Sequence, residues 1–321
     1  MKRLSCKTSF MALICTFLWG AGYSVVKYSY SEFGILSDDI PSKLLFAGIR
    51  FVICGAVICI FALIKDKGSY RPVGHSLAPV LLSGVFGIIL HYGFTYLGLD
   101  LTGSSETALI KQVGVLFYVC FSFLFIKQDK PTVKKTVASI AGFLGIIVLN
   151  ISSEGFSFCA GDLFILCASF CTVFSNVISK KVFEKISPVT ATGISQLFGG
   201  IILLTVGALM GGSVHFSLSA DLWIISYICA ASTVSYCIWF GIVKDGELSK
   251  LFIIKFAEPI FACIFGALIL GEEIWKIQYL ISFLLISGGI WLSNTNGKLK
   301  ANSGEAQCSL TATPLGSERR S

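Results

Sequence analysis

Three basic side chains stand where apolar sequence should exclude them. Arg50, Lys111 and Lys255 each lie about seven or eight residues inside a long hydrophobic run, roughly 10–12 Å deep at the helical rise per residue. A Lys or Arg at the centre of a membrane span costs roughly 2.5–3.5 kcal/mol, so three of them need an offsetting interaction. Two accounts are compatible with the sequence. In the first the charges snorkel or pair internally: Glu258 is three residues after Lys255, Glu106 lies a turn and a half before Lys111, and Arg50 can tie helices together through backbone carbonyls. In the second the two lysines face a water-filled cavity and meet an anionic group of a solute.

The residues around the lysines suit the second account. Ala108, Lys111, Val115, Tyr118 and Ser122 share a face at helical spacing, as do Lys255, Glu258, Ala262 and Gly266. Gly87, His91 and Thr95 do the same in an earlier run, and Ser232, Ser235, Tyr236 and Trp239 in a later one. The expected solute contacts are therefore Lys111, Lys255, Tyr92, Tyr236, His91, Tyr118, Trp239 and Ser235. Glu258, Pro259, Glu106 and Arg50 are the coupling or gating candidates. His91, Glu258 and Glu106 can titrate and so could couple transport to protons, although a lone intramembrane His also serves as a hydrogen-bonded packing residue. Trp19 and Trp239 read as packing or interfacial anchors as readily as ligand-stacking residues. Pro259 lacks an N–H and leaves a carbonyl free near Lys255, which allows either a gate or a static kink.

No catalytic or metal chemistry competes with this reading. The sequence has no HExxH, no convincing aspartate dyad and no well-placed serine–lysine pair. The 12 cysteines include no CxxC pair, and most lie inside apolar runs as small packing residues. No cofactor and no metal are expected, and an enzyme is not.

The elements that must position these residues follow from composition. Of 321 residues, 55% are hydrophobic and 13% charged, against about 25% charged in a soluble domain, and the mean hydropathy is +0.81. A soluble enzyme is excluded. The net charge of +7 sits in short clusters between apolar runs, which points to the lipid bilayer as partner and away from nucleic acid. Ten apolar segments have cores at 10–28, 44–64, 77–98, 104–126, 136–151, 162–179, 188–210, 218–243, 248–270 and 275–292. The first has the basic start of a signal peptide, but it approaches full span length, lacks a small-x-small cleavage pattern, and more spans follow. The expected fold is an all-α integral membrane protein with ten transmembrane helices.

Basic residues also orient the chain. Lys2, Arg3 and Lys7, then Lys65, Lys67 and Arg71, then Lys127, Lys130, Lys134 and Lys135 fall on one side, with further groups at Lys180, Lys181 and Lys185, at Lys244 and Lys250, and in the tail. Lys27, Lys43 and Lys276 fall on the other. The positive-inside rule places both termini in the cytoplasm, and a cell membrane is the expected location. Residues 297–321 lose all apolar period and read as a disordered cytoplasmic tail.

The chain also repeats. At an offset of 144 residues SSETALIKQVGVLFY from Ser104 lies over LSKLFIIKFAEPIFA from Leu248, with Lys111 on Lys255 and Ser105 on Ser249. The same offset sets Tyr92 on Tyr236, Asp129 on Glu273, Gly145 on Gly289 and Asn150 on Asn294; Pro41 falls on Pro188 after a small shift. A unit of five spans must enter the bilayer the second time in the opposite orientation, so the two halves, 8–151 and 160–294, form inverted five-helix repeats. The basic loop KQDKPTVKK and its mainly acidic counterpart GEEIWK then lie on opposite sides.

FLWGAGYSVVK from Phe17, AGIRF around Arg50 and AEPIFACIFGALILGEE from Ala257 to Glu273 resemble the EamA-type permeases of the drug/metabolite transporter superfamily. The first half departs from the pattern, with Gln112-Val113-Gly114-Val115 where the second has Glu258-Pro259. The resemblance covers residues 10–294 and implies a ten-helix carrier of small metabolites, often outward, with a central cavity between halves. With the lysine pair, it suggests an exporter of a small molecule bearing a carboxylate or other anionic group, such as an amino acid. Efflux of lipophilic cations is the alternative within transport, and a non-transporting membrane sensor or scaffold the alternative outside it. Oligomeric state is not legible.

Overall fold

The computed structural model describes residues 6–65, 73–121, 124, 133–149, 151–152, 155–156, 158–215, 220–246, 248–255 and 257–294. The expected tail at 297–321, Ser122, Asp129, Asn150 and the basic residues Lys67, Arg71, Lys127 and Lys130 lie outside them.

The described chain is helical apart from a two-residue antiparallel ladder, β1 (Ile151–Ser152) with β2 (Gly155–Phe156). In order the helices are α1 (Cys6–Glu32), α2 (Ile40–Lys65), α3 (Val73–Gly84), a π-helical turn (Val85–Leu90), α4 (His91–Leu101), α5 (Ser104–Cys120) and α6 (Val133–Leu149). The second half has α7 (Ala160–Val182), α8 (Pro188–Leu209), α9 (Ala220–Asp245), α10 (Leu248–Ile254), α11 (Ala257–Leu270) and α12 (Ile277–Asn294).

Among the described residues six helical stretches are long and apolar enough to cross a membrane: Cys6–Glu32, Ile40–Ile64, Leu77–Leu101, Ala160–Val182, Pro188–Leu209 and Leu222–Asp245. Three shorter apolar helices, Thr136–Gly145, Ala257–Leu270 and Ile277–Gly289, accompany them. Many large apolar side chains point outward, including Ile64, Leu209, Leu268 and Trp291. A soluble protein would bury such residues; a bilayer solvates them, and the chain is an integral membrane protein.

Two of the expected spans are not simple helices. The third bends through the π turn between α3 and α4. The ninth is divided into α10, ending at Ile254, and α11, beginning at Ala257, and the N–H of Glu258 bonds the Lys255 carbonyl at 2.9 Å. Pro259 has no N–H with which to continue the ladder to that carbonyl, so the chain closes a tighter turn instead.

Helix packing follows the repeat. α2 lies against α8 and α6 against α12, while α1 contacts α9 and α11 much as α7 contacts α4 and α5. The α2–α8 seam has no room for side chains on its small residues. A Cβ on Gly48 would lie 2.2 Å from the Leu204 nitrogen, one on Gly55 2.4 Å from that of Leu197, and one on Gly200 2.5 Å from that of Val52. Gly207 meets Leu45 in the same way. As numbers rise along α2 they fall along α8, so the two helices cross antiparallel with their backbones in contact, the packing lipid-embedded helices favour in the absence of a hydrophobic driving force.

Lys43, assigned from the sequence to the outer side, lies in the first turn of α2 and is 1% exposed; its ammonium donates to the Ser37 carbonyl at 2.6 Å and pairs with Asp100 at 3.0 Å. Its neighbours across the turn, rather than sequence position alone, decide its burial.

Candidate substrate cavity

The helices surround a cavity of about 100 Å³. Its wall draws on α1, α2, the α3–α4 bend, α5, α7, α8, α9 and the α10–α11 break.

Lys255 reaches the cavity from the helix break. Its ammonium is 3.7 Å from Glu258 and lies over two indoles, 5.0 Å from the Trp19 centroid and 5.6 Å from that of Trp239, within the range of cation–π attraction. The other Glu258 oxygen accepts the Tyr23 hydroxyl. Trp239 is held in turn, its indole N–H donating to Asn176 Oδ1 at 2.8 Å.

Lys111 meets different chemistry. Its ammonium is 3.4 Å from His91 Nε2 and 5.0 Å from the Tyr23 ring centroid. His91 Nδ1 is 2.9 Å from the Ala168 carbonyl. The Thr172 hydroxyl lies 2.8 Å from the same nitrogen, so Nδ1 sits between a carbonyl and a hydroxyl while Nε2 faces Lys111. Among the described residues no carboxylate lies within ion-pair distance of Lys111.

Arg50 acts as a tie. Its guanidinium donates to the Tyr96 hydroxyl at 2.6 Å and to Ser232 Oγ at 3.1 and 2.6 Å, joining α2 to α4 and α9. The repeat-related tyrosines meet directly, Tyr236 donating to Tyr92 at 2.7 Å.

Of the residues expected from sequence, Lys111, Lys255, Tyr92, Tyr236, His91, Trp239, Ser235, Glu258 and Arg50 line this one cavity. Three do not. Tyr118 packs edge-on against Phe252, Pro259 is buried, and Glu106 lies in the first turn of α5, near the charges of Asp162, Lys276, Glu272 and Lys27. Glu106 thus stands apart from Lys111, because five residues turn the helix by more than a revolution and carry the two side chains to different levels. The sequence reading missed Tyr23, Thr172, Asn176 and Gln196, all cavity-lining polar residues within spans. That polarity was the available signal, and its weakness is that uncharged polar residues in a span also serve packing.

At this N-terminal end of α5 a cap crosses between the halves. Gly103 has no side chain to cap the helix, and Glu272 from the α11–α12 turn does it instead, accepting the Ser104 N–H at 2.7 Å, the Ser105 N–H at 3.1 Å and the Ser105 hydroxyl at 2.8 Å. Gly271, with φ +64°, makes the turn that delivers it. Burial alone would raise the Glu272 carboxyl, but these donors outweigh it and hold the group below the usual carboxylate range.

The sequence profile of the EamA-like transporter family matches residues 7–151 and again 160–295. An uncharacterized transporter of Synechocystis sp. is 27% identical over 88% of this chain and 88% of its own. The uncharacterized transporter YvbV of Bacillus subtilis is 27% identical over 93% and 95%. A crystal structure of a protein 18% identical superposes with a TM-score of 0.64 over 93% of this chain and 99% of its own, a likeness of fold. With one profile covering both halves, the chain belongs to the EamA-like transporter family and is a transporter rather than an enzyme.

Proposed function

We propose that the protein is a secondary transporter, working as an exporter, for a small metabolite with a carboxylate or other anionic group, amino acids included. The observation that carries this reading is Lys111: a cation on a cavity wall whose nearest partners are an imidazole and a phenol ring rather than a carboxylate. A solute anion would supply the missing counter-charge where the low dielectric makes it most effective.

Ten spans in two inverted repeats, 8–151 and 160–294, would carry the solute by alternating access, each half taking in turn the conformation of the other. The odd number of spans per repeat and the antiparallel crossing of α2 with α8 support that inversion. The distribution of Lys and Arg between connections supports cytoplasmic termini and a cell-membrane location. His91 and Glu258 are the groups through which protons would couple.

Efflux of lipophilic cations is less well supported. Trp19 and Trp239 would stack on a cation, but Lys255 already lies over both rings. Counterflow of radiolabelled amino acids, organic acids and cationic dyes in proteoliposomes tests the choice. Lys111→Met should abolish uptake of the anionic solutes and Lys255→Met should weaken it strongly. Unchanged rate and affinity in both variants would sink the reading, and a protein that moves no solute would instead be a sensor or scaffold.

A further inference from the structure

Gln196, on the cavity-facing side of α8, is 1% exposed, yet neither its Nε2 nor its Oε1 has a hydrogen-bond partner. A buried amide left without bonds at both ends is a large expense in an apolar setting. Other polar side chains of the cavity wall make their hydrogen bonds elsewhere. Ser195 donates to the Thr192 carbonyl, Ser83 to that of Val80, and Ser175 to that of Ser83. The amide of Asn176 is spent on Thr172 and Trp239.

Arg50, on the corresponding helix of the first half, is satisfied by Tyr96 and Ser232. The positions related to those two by the repeat are Phe240 and Ile88, which line the cavity and offer no polar atom. Ile88 lies directly under α8, where a Cβ on Gly199 would meet it at 2.6 Å. One half thus builds a closed polar tie; the second half has Ile194 at the position 144 residues after Arg50 and, two residues further on, a buried and unbonded Gln196 amide in the cavity wall.

We propose that Gln196 binds the transported molecule, forming a neutral subsite for a group that both donates and accepts, a hydroxyl or a carboxamide, on the solute whose anionic group meets Lys111. This rests on the reading of the protein as a carrier of anionic metabolites and narrows the solute to hydroxy or amide derivatives.

Matched ligand pairs test it on the purified full-length protein, by ligand-induced thermal stabilisation and by counterflow. L-homoserine is compared with L-norvaline, and 4-hydroxybutyrate with pentanoate; each pair differs by a hydroxyl in place of a methyl. The wild type should prefer the hydroxylated member about three- to tenfold, the range of one neutral hydrogen bond. Gln196→Met should lose that preference while still binding the apolar member, and without ligand it should unfold at or above the wild-type temperature, since it removes an unbonded amide. Lys111→Met should weaken both members of each pair alike. Equal binding within the pairs, a preference that survives Gln196→Met, or a ligand-free variant that unfolds well below the wild type would overturn the subsite and leave the carrier reading intact. Failure of all four compounds to bind the wild type would overturn both.

Discussion

Lys111 and Lys255 occupy corresponding positions in the two halves and have unlike surroundings. Lys255 has a carboxylate at 3.7 Å and two indole faces; Lys111 has an imidazole and one phenol ring. The second helices show the same contrast, Arg50 fully bonded and Gln196 unbonded. The packing seams do not share this asymmetry, because α2 and α8 present glycines to one another from both sides. The helical frame is therefore repeated while its polar contents are not, and the unmet charge and the unmet amide both face the cavity. On the proposed alternating-access reading, a frame that moves as two equivalent halves would need matched contacts. A site that binds one asymmetric solute does not.

The largest effects should come from the shared frame, and they should be equal in the two halves. Gly48→Val and Gly200→Val each place a side chain on the partner backbone, at 2.2 and 2.5 Å for the first carbon alone. Both should abolish the monodisperse folded protein in size-exclusion chromatography. A seam that tolerates either one would break the symmetry argued for it.

Charge variants should be unequal. Glu258→Ala strands the Lys255 ammonium and the Tyr23 hydroxyl, and should cost about 3–5 kcal/mol of stability, the scale for removing one partner of a buried pair. Replacing both members as Lys255→Met with Glu258→Met should recover most of that loss. Lys111→Met strands no carboxylate, so its thermal unfolding should stay within about 1 kcal/mol of the wild type while transport is lost. Equal destabilisation by Glu258→Ala and Lys111→Met would show that the two lysines are not differently placed.

The smallest effect lies at the cap between the halves. Glu272→Gln should cost about 1 kcal/mol, the usual worth of a helix N-cap. Because the folded-state pKa of Glu272 is depressed, its contribution is fully present above the ordinary carboxylate pKa and is lost as pH falls through the lower folded value. Thermal unfolding at pH 7 and below pH 4 should therefore show a larger acid-induced drop for the wild type than for the variant.

The elements were legible to different degrees. Long apolar runs such as Ile40–Lys65 and Pro188–Leu209 announce themselves because hydropathy adds residue by residue. The helix break at Lys255 was half legible: Pro259 signalled a missing hydrogen bond, but the position of the break depends on the turn that the Glu258 N–H closes. The π turn at Val85–Leu90 had no sequence mark beyond its glycines. Tyr118 was misplaced because it shares a helical face with Lys111, and a face is wider than a cavity.

By itself the sequence determined the class of solvent, the repeat and the two lysines at equivalent places, since these depend on residue types and on spacing along one chain. Only the tertiary structure decided which lysine meets Glu258, that Arg50 closes on Tyr96 and Ser232, that Lys43 is buried, and that Gln196 is left open. Those outcomes depend on side chains from helices far apart in the chain being brought within about 3 Å, the range in which hydrogen bonds and close ion pairs form. Helix crossing sets such distances, and the glycines of the α2–α8 seam allow the closest of those crossings.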